Sequence, residues 1–115
     1  MVTKIRRAKS PVHCCVQGNL ESATVAGFRS LVAGIGRGQS VIFDLGQVSF
    51  VDSFGLGALL GAVRRIRESG GDAVISRPCP AVRRALHLTA IDRSVAVTTS
   101  LDEAEHYFST LPAAA

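Results

Sequence analysis

The sequence predicts one α/β domain over residues 1–115, with an opening β-hairpin followed by alternating helices and strands. Two observations support this prediction. Short apolar runs of strand length, such as residues 40–45, are separated by stretches in which apolar residues recur at helical spacing. A length of 115 residues is also enough for one domain with a core of its own.

The predicted order of elements is β-β-α-β-α-β-α-β-α, which gives a mixed sheet of about five strands covered by about four helices. The predicted strands are residues 3–8, 12–17, 40–45, 72–77 and 94–98. The predicted helices run from a cap at Ser22 to about Gly34, from Ser53 or Phe54 to Ser69, over residues 80–88, and from Ser100 to about Ser109.

Local signals justify these elements in turn. The strand over residues 40–45 is almost continuously apolar, as expected for a central strand covered on both faces. Gly70 provides a stop for the second long helix, Pro80 suits the first turn of the next, and Ser100 with Glu103 forms a capping box. The apolar stripes of the first two helices are Val25, Phe28, Val32 and Ile35, and Leu56, Leu59, Leu60, Val63 and Ile66.

The turn that follows the central strand is the main candidate site. It places an acidic residue, a hydroxyl and two glycines at the start of a helix, where unpaired backbone N–H groups favour anions. A phosphate carried by a side chain would be tolerated here, and a partner surface could detect it. The residues of this turn are Asp52, Ser53, Phe54, Gly55, Leu56 and Gly57.

This turn resembles the motif of the STAS domain, the fold of bacterial anti-sigma-factor antagonists. That family carries Asp-Ser-(Ser or Thr)-Gly-Leu-Gly at the same place. Four further segments match the family in order and at the right separations, so the resemblance covers most of the chain. These segments are residues 18–21, 68–71, 80–84 and 90–92.

The resemblance implies a STAS fold and a role in partner switching, which regulates transcription. The unmodified protein would bind an anti-sigma factor with a histidine-kinase-like ATPase fold, which also acts as a serine kinase, and so release a sigma factor. Asn19 and Glu21 would supply a secondary partner contact, in the places of a Glu and an Asp in the family. A PP2C-type phosphatase is a further implied partner, and a homodimer through the hairpin edge is left open.

One residue departs from the family pattern. The hydroxyl residue that usually accepts phosphate, just before the first glycine, is Phe54 in this sequence. Phosphorylation control is therefore either lost or moved to Ser53, whose side chain leaves the helix in another direction. Phe54 itself could fold into the core or stand exposed as an interface anchor. Asp52 and Ser53 are also good helix caps, which does not exclude a role in docking.

A second function remains open on the sequence. Some STAS-like domains lack a phospho-acceptor and serve as small structural subunits of membrane lipid-transport ATPases, and Phe54 would suit such a constitutive contact. Co-purification with an ATPase, and not with a sigma-regulatory kinase, would separate this alternative from the first.

Other function classes find little support in the residues. The three histidines and three cysteines show no metal-ligand spacing, and no nucleophile–base set or phosphate loop is present, so we expect neither an enzyme nor a cofactor. The net charge of +4 alone would suit nucleic acid, but with no tryptophan and one tyrosine the sequence lacks stacking aromatics, so we expect no direct nucleic-acid binding. The absence of a long apolar run predicts a cytoplasmic protein without membrane insertion. Of Cys14 and Cys15 one should be buried, and Cys79 in its loop is an expected exposed thiol.

Overall fold

Strands and helices alternate along residues 10–110, which are the residues that the computed structural model describes. The four strands are β1 (Val12–Gln17), β2 (Val41–Gln47), β3 (Ala73–Ser76) and β4 (Ala96–Thr98). The four α-helices are α1 (Val25–Ala33), α2 (Ser53–Glu68), α3 (Pro80–Leu88) and α4 (Leu101–Ser109), with a short 3₁₀ turn at Ile91–Arg93. The predicted alternation is confirmed over this part of the chain.

The described strands form one parallel sheet in the order β1-β2-β3-β4. In its register Val41 stands opposite Val12 on one side and Ala73 on the other. A mixed sheet of about five strands was expected, whereas these four strands are all parallel. The predicted first strand, residues 3–8, and the hairpin it would form lie outside the described residues.

The faces of β2 explain why that strand is apolar throughout. Phe43 lies in the main core together with buried residues of α1, α2 and α3. Ile42 points to the other face and packs with Val74 and with Ala104 of α4. Three helices therefore cover one face of the sheet and α4 covers the other, as the sequence of β2 predicts.

The helix predictions need correction at the start of α1 and on the buried face of α2. Helix α1 begins at Val25 with Thr24 at its N-cap and not at the predicted cap Ser22, whose backbone N–H donates to the Asp52 carboxylate. In α2 the predicted stripe residues Leu56 and Leu60 are half-buried, and Leu56 still packs against the main core. The face of α2 toward the core is completed instead by Ala58 and Ala62, which are small enough to bring the helix close to the sheet.

The remaining boundary signals act largely as predicted. Ser100 accepts a hydrogen bond from the Glu103 N–H at 3.0 Å, while the Glu103 carboxylate reaches back to the Thr99 N–H at 2.7 Å. Pro80 opens α3, and Gly70 follows α2 with φ of 103°, in the left-handed region. The last strand is shorter than expected, because the N–H groups of Ser94 and Val95 donate to the Ile91 carbonyl in the turn that follows the 3₁₀ segment.

The carboxylate of Asp44 is buried in β2, and a buried charge needs an oppositely charged or hydrogen-bonding partner. Asp44 is 5% exposed, and both of its oxygens accept hydrogen bonds from the Arg77 guanidinium, at 2.9 and 2.8 Å. The Gly46 N–H donates to the same carboxylate at 2.9 Å. The bond to Arg77 is the main cause that holds the pKa of Asp44 below its usual range, against the opposing effect of burial.

The substitution Arg77→Gln should move acid unfolding to higher pH. Because the pKa of Asp44 is lowered in the folded state, its contribution to stability is present above the unfolded pKa of about 3.9 and is lost as pH falls through the folded pKa. Without the guanidinium, burial raises that pKa, and the loss begins at higher pH. Circular dichroism against pH measures the midpoint. Arg93→Gln, at an exposed arginine without an ion pair in residues 10–110, should leave it unchanged.

Candidate functional site

The candidate site begins where the chain leaves β2 and enters α2. Asp52 is the N-cap of α2, with extended backbone (φ −113°, ψ −177°), and its carboxylate accepts a hydrogen bond from the Gly55 N–H at 2.8 Å. This bond satisfies one of the amide donors that a helix N-terminus leaves unpaired. The predicted capping role is confirmed for Asp52 and is wrong for Ser53, which is the first residue of α2.

A second loop, residues 18–24, lies directly against this turn. The Leu20 N–H donates to the Phe50 carbonyl at 3.1 Å, and the Asp52 N–H donates to the Leu20 carbonyl at 3.3 Å. The second oxygen of the Asp52 carboxylate accepts from the Ser22 N–H at 3.0 Å. The Asp52 carboxylate therefore joins two segments that are 30 residues apart in the chain.

These backbone donors also set the charge state of Asp52. Hydrogen bonds to the carboxylate, first from Gly55 and then from Ser22, hold the pKa of Asp52 below its usual range. The side chain is thus an anion at neutral pH. A fixed negative charge stands beside Ser53, the first residue of α2.

The approach of the two segments leaves no room for a side chain at Gly55. A Cβ atom built on Gly55 would stand 1.9 Å from the Leu20 carbonyl oxygen and 2.5 Å from the Leu20 carbonyl carbon. Gly57, in the same turn, has no atom within 4 Å of its hypothetical Cβ. Glycine is therefore suited to the two positions for different reasons: at Gly55 it permits a close backbone contact, and at Gly57 it leaves the helix surface open.

Asn19 and Glu21, the predicted secondary contact, lie in this same loop. The Asn19 side-chain oxygen accepts a hydrogen bond from the Ser49 hydroxyl at 3.0 Å, and its carbonyl accepts from the Thr24 hydroxyl at 2.8 Å. The Glu21 N–H donates to the Thr24 hydroxyl oxygen at 3.1 Å. The structure thus places both predicted residues beside the turn.

Phe54 stands out from the turn and does not fold into the core. Its exposed fraction is 64%, and the neighbouring Ser53 is also exposed. Phe50, which the sequence reasoning missed, is 51% exposed on the segment before Asp52. The sequence feature that could have identified Phe50 is the pair of aromatic residues, Phe50 and Phe54, on either side of Asp52. Together Phe50 and Phe54 give this end of the molecule an apolar surface.

The other side chains named from the sequence are not brought to this site. His13 pairs with Glu105 of α4, and His87 pairs with Asp92. In residues 10–110 no group of three or more histidine, cysteine or acidic side chains is placed to hold a metal ion. None of the helices in that same range is long and apolar enough to cross a membrane.

The three cysteines are all free thiols. As predicted, one of the adjacent pair is buried: Cys14 lies in the core, where burial raises the pKa of its thiol to about 11, while Cys15 is exposed. Cys79, expected to be exposed, is half-buried against the core because it is the N-cap of α3.

Comparison with known proteins agrees with this geometry. The model of the STAS domain family matches residues 5–105, most of the chain. The chain belongs to the STAS domain family. The match includes the turn and the loop that packs against it, so the predicted membership is confirmed.

Relatives within this family include two candidate anti-sigma factor antagonists. The chain is 35% identical to one from Thermotoga maritima over 71 residues, which are 61% of this chain and 63% of that protein. It is 28% identical to BtrV of Bordetella bronchiseptica over 98 residues, which are 84% of each chain.

Solved structures show the same STAS fold. The anti-sigma factor antagonist SpoIIAA in its unphosphorylated form superimposes with a TM-score of 0.70 at 23% identity, covering 97% of this chain and 96% of that one. A sulfate transporter family protein from Wolinella succinogenes gives a TM-score of 0.76 at 15% identity, covering 94% and 88%. At these identities the likeness establishes the fold alone.

Proposed function

We propose that this STAS domain is an anti-sigma-factor antagonist, a binding protein without catalytic activity. It binds an anti-sigma factor with a histidine-kinase-like ATPase fold and thereby releases a sigma factor for transcription. The observation that carries the proposal is the surface at the start of α2, where Phe54 is 64% exposed on a turn held rigid by Asp52 and Gly55. Relatives named as candidate antagonists support it.

The composition of this surface suits a protein partner. Exposed aromatic side chains anchor interfaces because they bury a large area with little loss of conformational freedom. Phe54 and Phe50 provide two such anchors, and the negatively charged Asp52 lies between them in the sequence. Asn19 and Glu21 add polar groups at the edge of the same surface, where we place the secondary contact.

We further propose that Phe54 frees this protein from the usual phosphorylation switch. A phosphate on the turn adds about −1.5 to −2 charges and would oppose docking. Phe54 has no hydroxyl to accept it. The exposed Ser53 remains the only candidate acceptor in the turn, and a phosphate there would stand next to the Asp52 carboxylate, a like charge that opposes the modification.

The substitution Phe54→Ser should restore modification. We expect the variant to gain one phosphate on its new hydroxyl when it is incubated with ATP and the purified cognate anti-sigma kinase, because that hydroxyl then occupies the family's acceptor position. Intact-mass spectrometry with peptide mapping measures it. The wild-type chain should gain none, and Phe54→Ala is the control for simple removal of the ring. If Phe54→Ser takes no phosphate from a kinase that binds it, this part of the proposal is wrong.

Binding decides between the proposed function and the structural-subunit alternative. The lack of a hydroxyl at Phe54 also suits a constitutive contact in a membrane lipid-transport ATPase. A pull-down with the tagged full chain should retain the purified anti-sigma factor. Failure to retain it, with co-purification of an ATPase complex instead, would overturn the antagonist role and favour the subunit.

A further inference from the structure

A groove lies between α1 and α2 and begins one helical turn beyond Phe54. Its volume is about 320 Å³. Gly57 and Gly61, four residues apart on α2, leave open space where side chains would stand. The other lining residues are Phe28, Arg29, Val32 and Ala33 of α1 and Ala58, Ala62 and Arg65 of α2.

The two charged residues of the groove are both arginines without an acidic partner. Neither Arg29 nor Arg65 forms an ion pair within residues 10–110. They belong to a wider basic face formed by the exposed sides of α1, α2 and α3. On these helices the exposed arginines without an ion pair in the described range are Arg29, Arg64, Arg65, Arg83 and Arg84, and the exposed Glu68 of α2 is the acidic residue among them.

The opposite side of the molecule carries negatively charged side chains. Helix α4 packs on the far face of the sheet and has Asp102, Glu103 and Glu105 in its first two turns. Residues 10–110 contain nine arginines and nine acidic residues and so have no net charge, but six of these arginines lie on α1, α2 and α3, the helices on the side of the groove. A partner that docks there is expected to present negative charge.

We propose that this groove receives one acidic amphipathic helix of the anti-sigma factor, with its apolar side on the floor and its carboxylates against Arg29 and Arg65. The inference rests on the proposed function and extends the partner surface from the turn along α2. A helix fits because the absence of side chains at Gly57 and Gly61 lets another backbone approach closely, between apolar walls. Gly57, which lines the groove, lies three residues after Phe54, the proposed anchor, on the same helix.

Gly61→Leu tests the groove without altering the turn. The leucine fills open space and replaces a helix glycine by a better helix former, so the fold should be retained. We expect the Kd for the purified anti-sigma factor to rise at least about tenfold, because the side chain occupies the place of the partner helix. Ala81→Leu, at an exposed position of α3 outside the groove, is the matched control and should bind as wild type does.

Charge reversal tests the nature of the occupant. The double variant Arg29→Glu, Arg65→Glu should bind about tenfold or more weakly at low salt and should lose much of the salt dependence of the wild-type Kd. Arg83→Glu, Arg84→Glu makes the same change of net charge on α3, away from the groove, and should have a much smaller effect.

The outcomes separate this inference from the function on which it rests. If the wild-type chain binds the anti-sigma factor and Gly61→Leu binds equally well, the groove proposal is overturned while the function stands. If Gly61→Leu weakens binding but the double variant at Arg29 and Arg65 and the double variant at Arg83 and Arg84 change the Kd equally, an acidic occupant of the groove is excluded. If the wild-type chain binds no anti-sigma factor, the function itself has failed.

Discussion

Gly55→Ala is expected to lower the free energy of unfolding by about 2 kcal/mol or more and to abolish partner binding. The reason is steric. The new Cβ would stand 1.9 Å from the Leu20 carbonyl oxygen, a backbone atom that cannot move without separating the loop 18–24 from α2. Such a shift also strains the hydrogen bond from the Asp52 N–H to that carbonyl and the bond from the Ser22 N–H to the Asp52 carboxylate.

Gly57→Ala is the matched control for stability, since it makes the same chemical change two residues later. The added methyl group meets open space, and replacing glycine in a helix should raise the free energy of unfolding by about 0.5–1 kcal/mol. Urea unfolding followed by circular dichroism measures both variants. Equal midpoints for the two would show that α2 does not pack against the loop as described.

Phe54→Asp is expected to weaken binding to the anti-sigma factor by about 30-fold or more, which corresponds to about 2 kcal/mol, while leaving folding stability unchanged within about 0.5 kcal/mol. The ring is 64% exposed, so the folded chain loses little when it is removed. In the complex the same ring would be buried, and an aspartate would carry an unpaired charge into the interface.

Leu88→Asp provides the control for the Phe54 experiment. Leu88 is 69% exposed at the end of α3, away from the turn, and the same substitution there should not change binding. Isothermal titration calorimetry with the purified anti-sigma factor gives the affinities. If the variants at Phe54 and Leu88 bind with the same affinity as the wild-type chain, Phe54 is not an interface anchor.

The start of α2 could be predicted from sequence because its causes are local. Asp52 caps the helix through Gly55, three residues away, and both residue types are visible in the motif. The same holds for the capping box at Ser100 and for the central strand β2. Short-range hydrogen bonds and apolar periodicity are properties that a single sequence displays directly.

The loop 18–24 could not be predicted in the same way. Ser22 looks like a helix cap, yet its N–H binds the Asp52 carboxylate 30 residues away, and the helix begins three residues later at Val25. The pairing of Asp44 with Arg77 spans 33 residues and was likewise invisible. Contacts of this length depend on how the strands are ordered in the sheet, which the local pattern does not specify.

The exposure of Phe54 and Phe50 was decided by packing. From the sequence, Phe54 could lie either in the core or on the surface. It lies on the surface because Leu59, Val63 and Ile66 fill the inner side of α2. Phe50 lies in a segment tied to Leu20 by a backbone hydrogen bond, and its side chain is exposed. Both rings are therefore available to a partner.

Release of sigma factor is the measurement that tests the central claim most directly. The purified full chain is added to a preformed complex of the anti-sigma factor with a labelled sigma factor, and free sigma factor is followed by fluorescence anisotropy. We predict release that saturates near one chain per anti-sigma subunit, persists in the presence of ATP, and is lost in Phe54→Asp. A complex that stays intact at saturating concentrations of the wild-type chain would contradict the proposed function.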